Sequence, residues 1–164
     1  MKKRFIGTVL ALTVLLGGCS VVNTQKEISD AVGLDLRSAE VVSSEDTHGG
    51  FQGDGMEVTV LELSEAPDLT GLQGWHELPL SQNVERLLYG VRTAEDTDGP
   101  YLYGEDGAPL VPPVTNGSWF FLDRHSECTD PYDDSSVFDR YSFNLTVAVY
   151  DADTARLYYL EFDT

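Results

Sequence analysis

Asp123-Arg124-His125-Ser126-Glu127-Cys128-Thr129-Asp130-Pro131-Tyr132-Asp133-Asp134 gathers an imidazole, a guanidinium, a thiol and five carboxylates within a dozen residues. A loop of this kind, held between two strands, is where binding side chains commonly sit. His48 follows another strand end. Together with Asp123, Arg124, His125, Glu127, Asp130, Asp133 and Asp134 it makes the candidate ligand-binding set, suited to a cation or a small polar ligand. The plainer role for the same residues is structural: Arg124 pairs with local aspartates and His125 caps the strand end. Structural ion pairs build such clusters too.

Metal and catalytic chemistry leave fainter traces. Asp96-Thr97-Asp98-Gly99, Asp130 to Asp134 and Asp151 to Asp153 each collect carboxylates in turns, which suits a hard cation with oxygen ligands. None has the spacing of an EF-hand loop, and Asp and Gly favour turns without any metal. No cofactor is expected, and calcium is the one the composition would admit. His48, His76 and His125 are the three histidines, and none lies in an H-E-x-x-H helix or beside paired cysteines, as a zinc site requires. Gly49-Gly50-Phe51-Gln52-Gly53-Asp54-Gly55 has four glycines in seven residues. It lacks the P-loop lysine and precedes a strand, so its glycines serve turns and not phosphate. No G-x-S-x-G elbow occurs. Acidic neighbours around Cys128 disfavour its thiolate, and it is not read as a nucleophile. No residue is assigned a catalytic role.

These residues need elements to hold them. Lys26 to Val32 reads as a small helix stopped at Gly33, and Leu34 to Val42 as an extended segment. Met56 to Leu63 reads as a strand in which Met56, Val58 and Val60 alternate before Leu61 and Leu63 take the other phase. That slip predicts a bulge or burial on both faces. A long-looped hairpin joins the two extended segments. Ala66 to Gly74 is expected to form a turn or short helix. Ser81 caps a helix from Gln82 to Tyr89 that Gly90 ends, with Val84, Leu87 and Leu88 as its apolar stripe. Thr93 to Thr115 is a surface excursion with a small hairpin near Asp106-Gly107. Trp119 to Leu122 is a strand buried on both faces. Alternation from Tyr141 to Val149, then Leu157 to Phe162, predicts a closing hairpin. With Asp151 to Thr154 as its loop, Tyr150 faces Ala155, Val147 faces Tyr158, Leu145 faces Leu160 and Phe143 faces Phe162. The expected fold is α+β: an antiparallel sheet of about five strands, covered on one face by two or three short helices, in the order α-β-β-α-α-β-β-β.

Lys2-Lys3-Arg4, the apolar run Phe5 to Leu16, and Leu16-Gly17-Gly18-Cys19-Ser20 form a charged n-region, an h-region and a small-residue cleavage site ending on cysteine. The run is short of the roughly 20 apolar residues that span a bilayer. The pattern is that of a bacterial lipoprotein signal, with Cys19 acylated after cleavage. It divides the chain into a signal peptide (1–18), a lipidated tether (19–25) and a single α+β domain (26–164). The signal removes three of ten basic residues and none of the 28 acidic ones, leaving seven basic residues and a net charge of −21. Nucleic acid and anionic lipid surfaces are therefore excluded as partners of the folded domain. Cys128 is left without an intramolecular partner.

Asp46-Thr47-His48-Gly49-Gly50-Phe51, Asp123-Arg124-His125-Ser126, Thr129-Asp130-Pro131-Tyr132-Asp133-Asp134 and Tyr158-Tyr159-Leu160-Glu161-Phe162-Asp163 resemble the phrasing of small, uncharacterised exported lipoproteins of Clostridia-type Gram-positive bacteria. The resemblance implies an envelope location and carries no activity. The expectation is a lipid-anchored, non-catalytic envelope module at the extracytoplasmic face of the cell membrane, binding a protein, a glycan or a small polar ligand. Second comes an acidic inhibitor or immunity-type protein that neutralises a cationic surface enzyme. Third comes a metal-assisted hydrolase using His48, His125 and nearby aspartates.

Overall fold

The computed structural model describes residues 18–49, 53–94 and 96–164. The expected signal segment before Gly18, the side chain of Cys19, and Gly50 and Phe51 of the glycine loop lie outside the described residues. The elements run α1 (Gly18–Val32), β1 (Glu40–Asp46), β2 (Gly55–Glu62), β3 (Trp75–Glu77), α2 (Gln82–Tyr89), β4 (Val91–Arg92), β5 (Thr97–Asp98), β6 (Gly117–Asp123), β7 (Asn144–Asp151) and β8 (Arg156–Asp163). Six strands form one sheet in the order β1-β2-β8-β7-β6-β3, every neighbour antiparallel, while β4 and β5 pair separately. The protein is α+β, as its strand and helix patterns imply. No helix among the described residues is long and apolar enough to cross a membrane.

The sheet is buried on both faces, not one. On one face Ile28 and Val32 of α1 pack with Leu61, Phe120, Ala148, Tyr150, Leu157 and Tyr159. On the other, Val84, Leu87 and Leu88 of α2 pack with Trp119, Phe121, Leu145, Val147, Val149 and Leu160. This explains the phase slip in β2: Met56, Val58 and Val60 serve the α2 face, and Leu61 and Leu63 the α1 face. Each large apolar side chain buried this way contributes up to about 1.5–3 kcal/mol. The bulge sits on the opposing edge strand, where Val42 is the extra residue between Val41 and Ser43. Bulges and carboxylates such as Glu40, Glu45 and Asp46 are common ways of blunting an edge.

α2 follows its sequence signals. The Ser81 side chain accepts from the Val84 N–H at 3.1 Å, and Gly90, at φ 72°, donates to the Arg86 carbonyl at 3.0 Å. Eight residues are too few to hold a helix alone, so the fully buried Val84, Leu87 and Leu88 must stabilise it.

Three further expectations are corrected. The first helix starts at Gly18 and not Lys26, because no Gly or Pro interrupts the chain between Cys19 and Val32; the segment 19–25, read as tether, is helical backbone. Ala66 to Gly74 forms turns, the first of the two expected alternatives, and leads into β3, an unexpected strand that at three residues is too short to show alternation. The strand order differs accordingly, with six strands in the main sheet instead of about five. The closing hairpin keeps the expected faces but slides: Tyr150 pairs with Leu157, Val147 with Leu160 and Leu145 with Phe162. Asp151 joins the ladder opposite Arg156, and Ala155 at φ 55° becomes part of the loop. Tyr141 lies before β7 and is fully exposed.

Candidate functional site

The residues singled out from sequence separate into groups with different work. Asp123, at the end of β6, is 2% exposed and holds the Arg140 guanidinium, whose Nη2 donates to both carboxylate oxygens at 2.6 Å. Arg140 also donates through Nε to the Ser142 carbonyl at 2.8 Å. Two desolvated charges satisfied in this way form a structural lock between β6 and the segment before β7.

His48 and Arg124 do converge, on the far end of β8. His48 Nδ1 lies 2.7 Å from Asp46 Oδ1, and its Nε2 is 3.3 Å from Asp163 Oδ2 without hydrogen-bond alignment. Arg124 Nη2 donates to Asp163 Oδ1 at 2.9 Å and to the Leu145 carbonyl at 3.1 Å, and sits 3.6 Å from Glu161 Oε2. Asp46, Glu57 and Glu161 fall in one cross-strand row beside them. Burial, then repulsion from Glu161, pushes the half-buried Glu57 carboxyl above its ordinary range. The His48 backbone N–H, then its ring, holds Asp46 below. The Tyr159 hydroxyl donates to Glu161, and burial pushes this phenol well up. The arrangement is an ionic network over a strand end, with Arg124 committed to Asp163 and His48 Nε2 buried without a hydrogen bond.

His125 and the acidic run do not join it. The Glu127 N–H donates to His125 Nδ1 at 3.2 Å, and His125 N–H to Asp123 at 3.0 Å. Glu127 is exposed. Asp130 accepts from the Tyr132 N–H and Asp133 from Ser135, while Asp134 accepts from the Ser81 hydroxyl and, through its carbonyl, from Asn83. These carboxylates tie turns and fasten the loop to the N-terminus of α2. The Cys128 thiol donates to the Asp130 carbonyl at 3.1 Å, and burial followed by the Asp123 charge raises its pKa. The other acidic turns are spent likewise: Asp98 takes Arg86 and the Tyr101 hydroxyl, and Asp151 takes the Asp153 N–H and the Thr154 hydroxyl. Among the described residues no three His, Cys, Asp or Glu side chains are arranged to hold a metal ion.

A site the sequence did not signal lies at the opposite end of β6 and β7. There the 64–74 turns, β3 and the start of β6 enclose a cleft of about 650 Å³. Its polar groups include Asp68, Thr70, Glu77, Ser118 and Tyr150, with the Trp75 ring at its side. Trp75 is fixed by donating Nε1–H to the Val32 carbonyl at 2.8 Å, and tilts against Phe120 at 5.5 Å between centroids. Thr70 holds Asp68 ionised, lowering its pKa by the hydroxyl first and then the N–H. Glu77 and Ser118 are cross-strand partners on the Trp75 face, whereas His76 pairs with Trp119 and stacks on it, 4.4 Å away, on the other face. No Ser-His relay is therefore set up at Ser118. Tyr150 is 6% exposed as a residue, and its hydroxyl makes no hydrogen bond among the described residues and stays open to solvent. Gly117 is required at the rim: at φ 151° its Cβ would stand 1.9 Å from the Tyr150 carbonyl oxygen. The turn residues and isolated Trp75 carried too little periodicity for this cleft to be read beforehand.

Comparison with protein-family models, with curated proteins and with solved structures finds no match to this chain.

Proposed function

We propose that this protein is a non-catalytic binding module, held by lipid on Cys19 at the extracytoplasmic face of the bacterial cell membrane, and that the Trp75–Tyr150 cleft is its ligand site. The single observation carrying the ligand site is the cleft itself, about 650 Å³ lined by Asp68, Thr70, Glu77, Ser118 and Tyr150 beside Trp75. A concavity with an aromatic wall and a few polar groups at its surface is where a small ligand fits. The charged n-region, apolar run and Gly17-Gly18-Cys19 support the anchor. α1 leads from Cys19 to Val32, the residue that holds Trp75. At 1.5 Å per residue it sets the cleft roughly 20 Å from the lipid-bearing residue.

The anchor is tested by fractionation. Cys19→Ser should move the chain out of the membrane fraction, and the unaltered chain should carry an acylated N-terminal cysteine by mass spectrometry. Retention of the variant in the membrane counts against it.

A second reading, an acidic inhibitor of a cationic surface enzyme, is favoured by a groove of about 470 Å³ on the α2 face. Met56, Val58, Tyr103 and Leu110 line it, with Glu45 and Glu105 at its sides. An apolar floor between carboxylates complements a basic, partly apolar surface. Capture of such an enzyme should weaken with salt; indifference to ionic strength counts against this reading.

A further inference from the structure

Resting on the binding-module reading, we infer that the Trp75–Tyr150 cleft binds a neutral saccharide, through hydroxyl hydrogen bonds to Glu77, Ser118 and Tyr150 and stacking on Trp75. Four properties of the cleft select that chemistry. Its volume of about 650 Å³ falls in the range of small-molecule sites and is roomy enough for more than one sugar ring. No lysine or arginine lines it, and Asp68 and Glu77 are both acidic, so phosphate or carboxylate ligands are repelled.

The hydrogen-bonding inventory is mixed. Glu77 is an acceptor, free of ion pairs among the described residues, and a carboxylate makes strong bonds to hydroxyl donors. Ser118 and Tyr150 each both donate and accept. A ligand meeting all three must present donors and acceptors side by side, as vicinal sugar hydroxyls do. An ammonium group offers donors only and makes no use of the Tyr150 and Ser118 hydroxyl protons.

The cleft is also preorganised. Trp75 is pinned through its indole N–H to α1 and leans on Phe120, so its ring plane is set before any ligand arrives. A rigid aromatic with a fixed polar neighbour supplies contact area at little entropic cost. Ser118 and Tyr150 sit on adjacent paired strands, opposite one another in the ladder, and Glu77 stands opposite Ser118 on the other side. The three groups therefore form a row across β3, β6 and β7, on one face, with spacing fixed by the sheet.

The experiment titrates the full chain with cellobiose, N,N′-diacetylchitobiose and maltotriose, following tryptophan fluorescence, with choline and cadaverine as amine competitors. Trp75 lines the cleft and Trp119, the other tryptophan, lies under His76 beside it. At least one saccharide should bind saturably, with Kd of roughly 1 mM or tighter from a few net hydrogen bonds. Tyr150→Phe and Glu77→Gln should each weaken it about five- to tenfold. Their melting temperatures should match the parent chain, which separates lost contacts from lost fold. No saturable response to any of the three sugars overturns the inference, as does parental affinity in both variants. An amine that binds where the sugars do not overturns the saccharide and leaves the binding-module reading standing. If neither class changes the fluorescence, the cleft is removed from that reading as well.

Discussion

The two ends of strands β6, β7 and β8 use polar residues in opposite ways. At the Asp123–Asp163 end, charges face charges: Arg140 is held by Asp123, Arg124 by Asp163 and Glu161, and His48 lies between Asp46 and Asp163. At the Gly117–Arg156 end, Glu77, Ser118 and Tyr150 surround a cleft with few mutual bonds. The first end holds the fold together through ion pairs, although His48 Nε2 and Thr146 Oγ1 are buried there without a hydrogen-bond partner. The second presents its carboxylate and hydroxyl groups to a solvent-filled cleft. In this molecule the dense cluster of His, Arg and Asp in sequence is spent largely on ion pairs and turn hydrogen bonds within the fold. Oppositely charged side chains close together in space satisfy each other first.

Three changes probe that contrast. The largest effect is expected at the closed end. Arg140→Ala leaves the Asp123 carboxylate, 1% exposed at its side chain, without its counter-charge. Urea unfolding should show a loss of about 3–5 kcal/mol, the usual consequence of stranding a buried charge. A loss below about 1 kcal/mol would mean that the lock is dispensable and that the two ends do not differ in this way.

Next comes the rim of the open end. Gly117→Ala places a methyl group against the Tyr150 carbonyl at a backbone angle that L-residues avoid. It should cost about 1–3 kcal/mol of stability in the same assay. Because the strain falls where β6 meets β7 beside the cleft, it should disturb the Tyr150 environment more than that of Asp163. Amide chemical shifts spread evenly over both ends would erase the distinction.

The smallest effect carries a sign that pH reveals. Burial raises the Glu57 carboxyl in the folded chain above its unfolded value. A raised acid binds its proton more tightly when folded, so its favourable contribution is present below the unfolded pKa and is lost as pH rises through the folded one. At neutral pH the ionised Glu57, beside Glu161 and Asp46, opposes folding, with His48 offsetting part of this. Glu57→Gln should raise stability at neutral pH by less than about 1 kcal/mol, since the site is half exposed. The gain should shrink as pH falls through the carboxylate range. A gain independent of pH would assign the effect to packing instead of charge.

Part of this was legible from residues close together in the chain. Ser81 and Gly90 bracket α2 because a cap acts within one helical turn. The alternation of Leu145, Val147 and Val149 places them on one face whatever their partners, since the strand period is two. The pairing partners differ from the expected ones by a slide that keeps parity: Ala155 adopts φ 55° and extends the turn, which nothing in its type announces. Arg124 to Asp134 form a loop that Asp123, the last residue of β6, leads into, and local sequence does not say what their side chains meet. Whether Asp134 meets a ligand or Ser81 depends on a contact 53 residues away in sequence.

By itself the chain determined its local signals: a lipoprotein-like N-terminus, an acidic domain, one capped helix, a closing hairpin and turns rich in Asp and Gly. These follow from neighbours within a few residues, where capping, alternation and backbone preference act. Only the tertiary structure decided that the sheet is covered on both faces, that Asp123 answers Arg140, and that Trp75, Glu77, Ser118 and Tyr150 share one cleft. Those residues come from three strands whose order, β3-β6-β7, is set by long-range pairing. No local preference encodes which strand lies beside which; the burial of both apolar faces does.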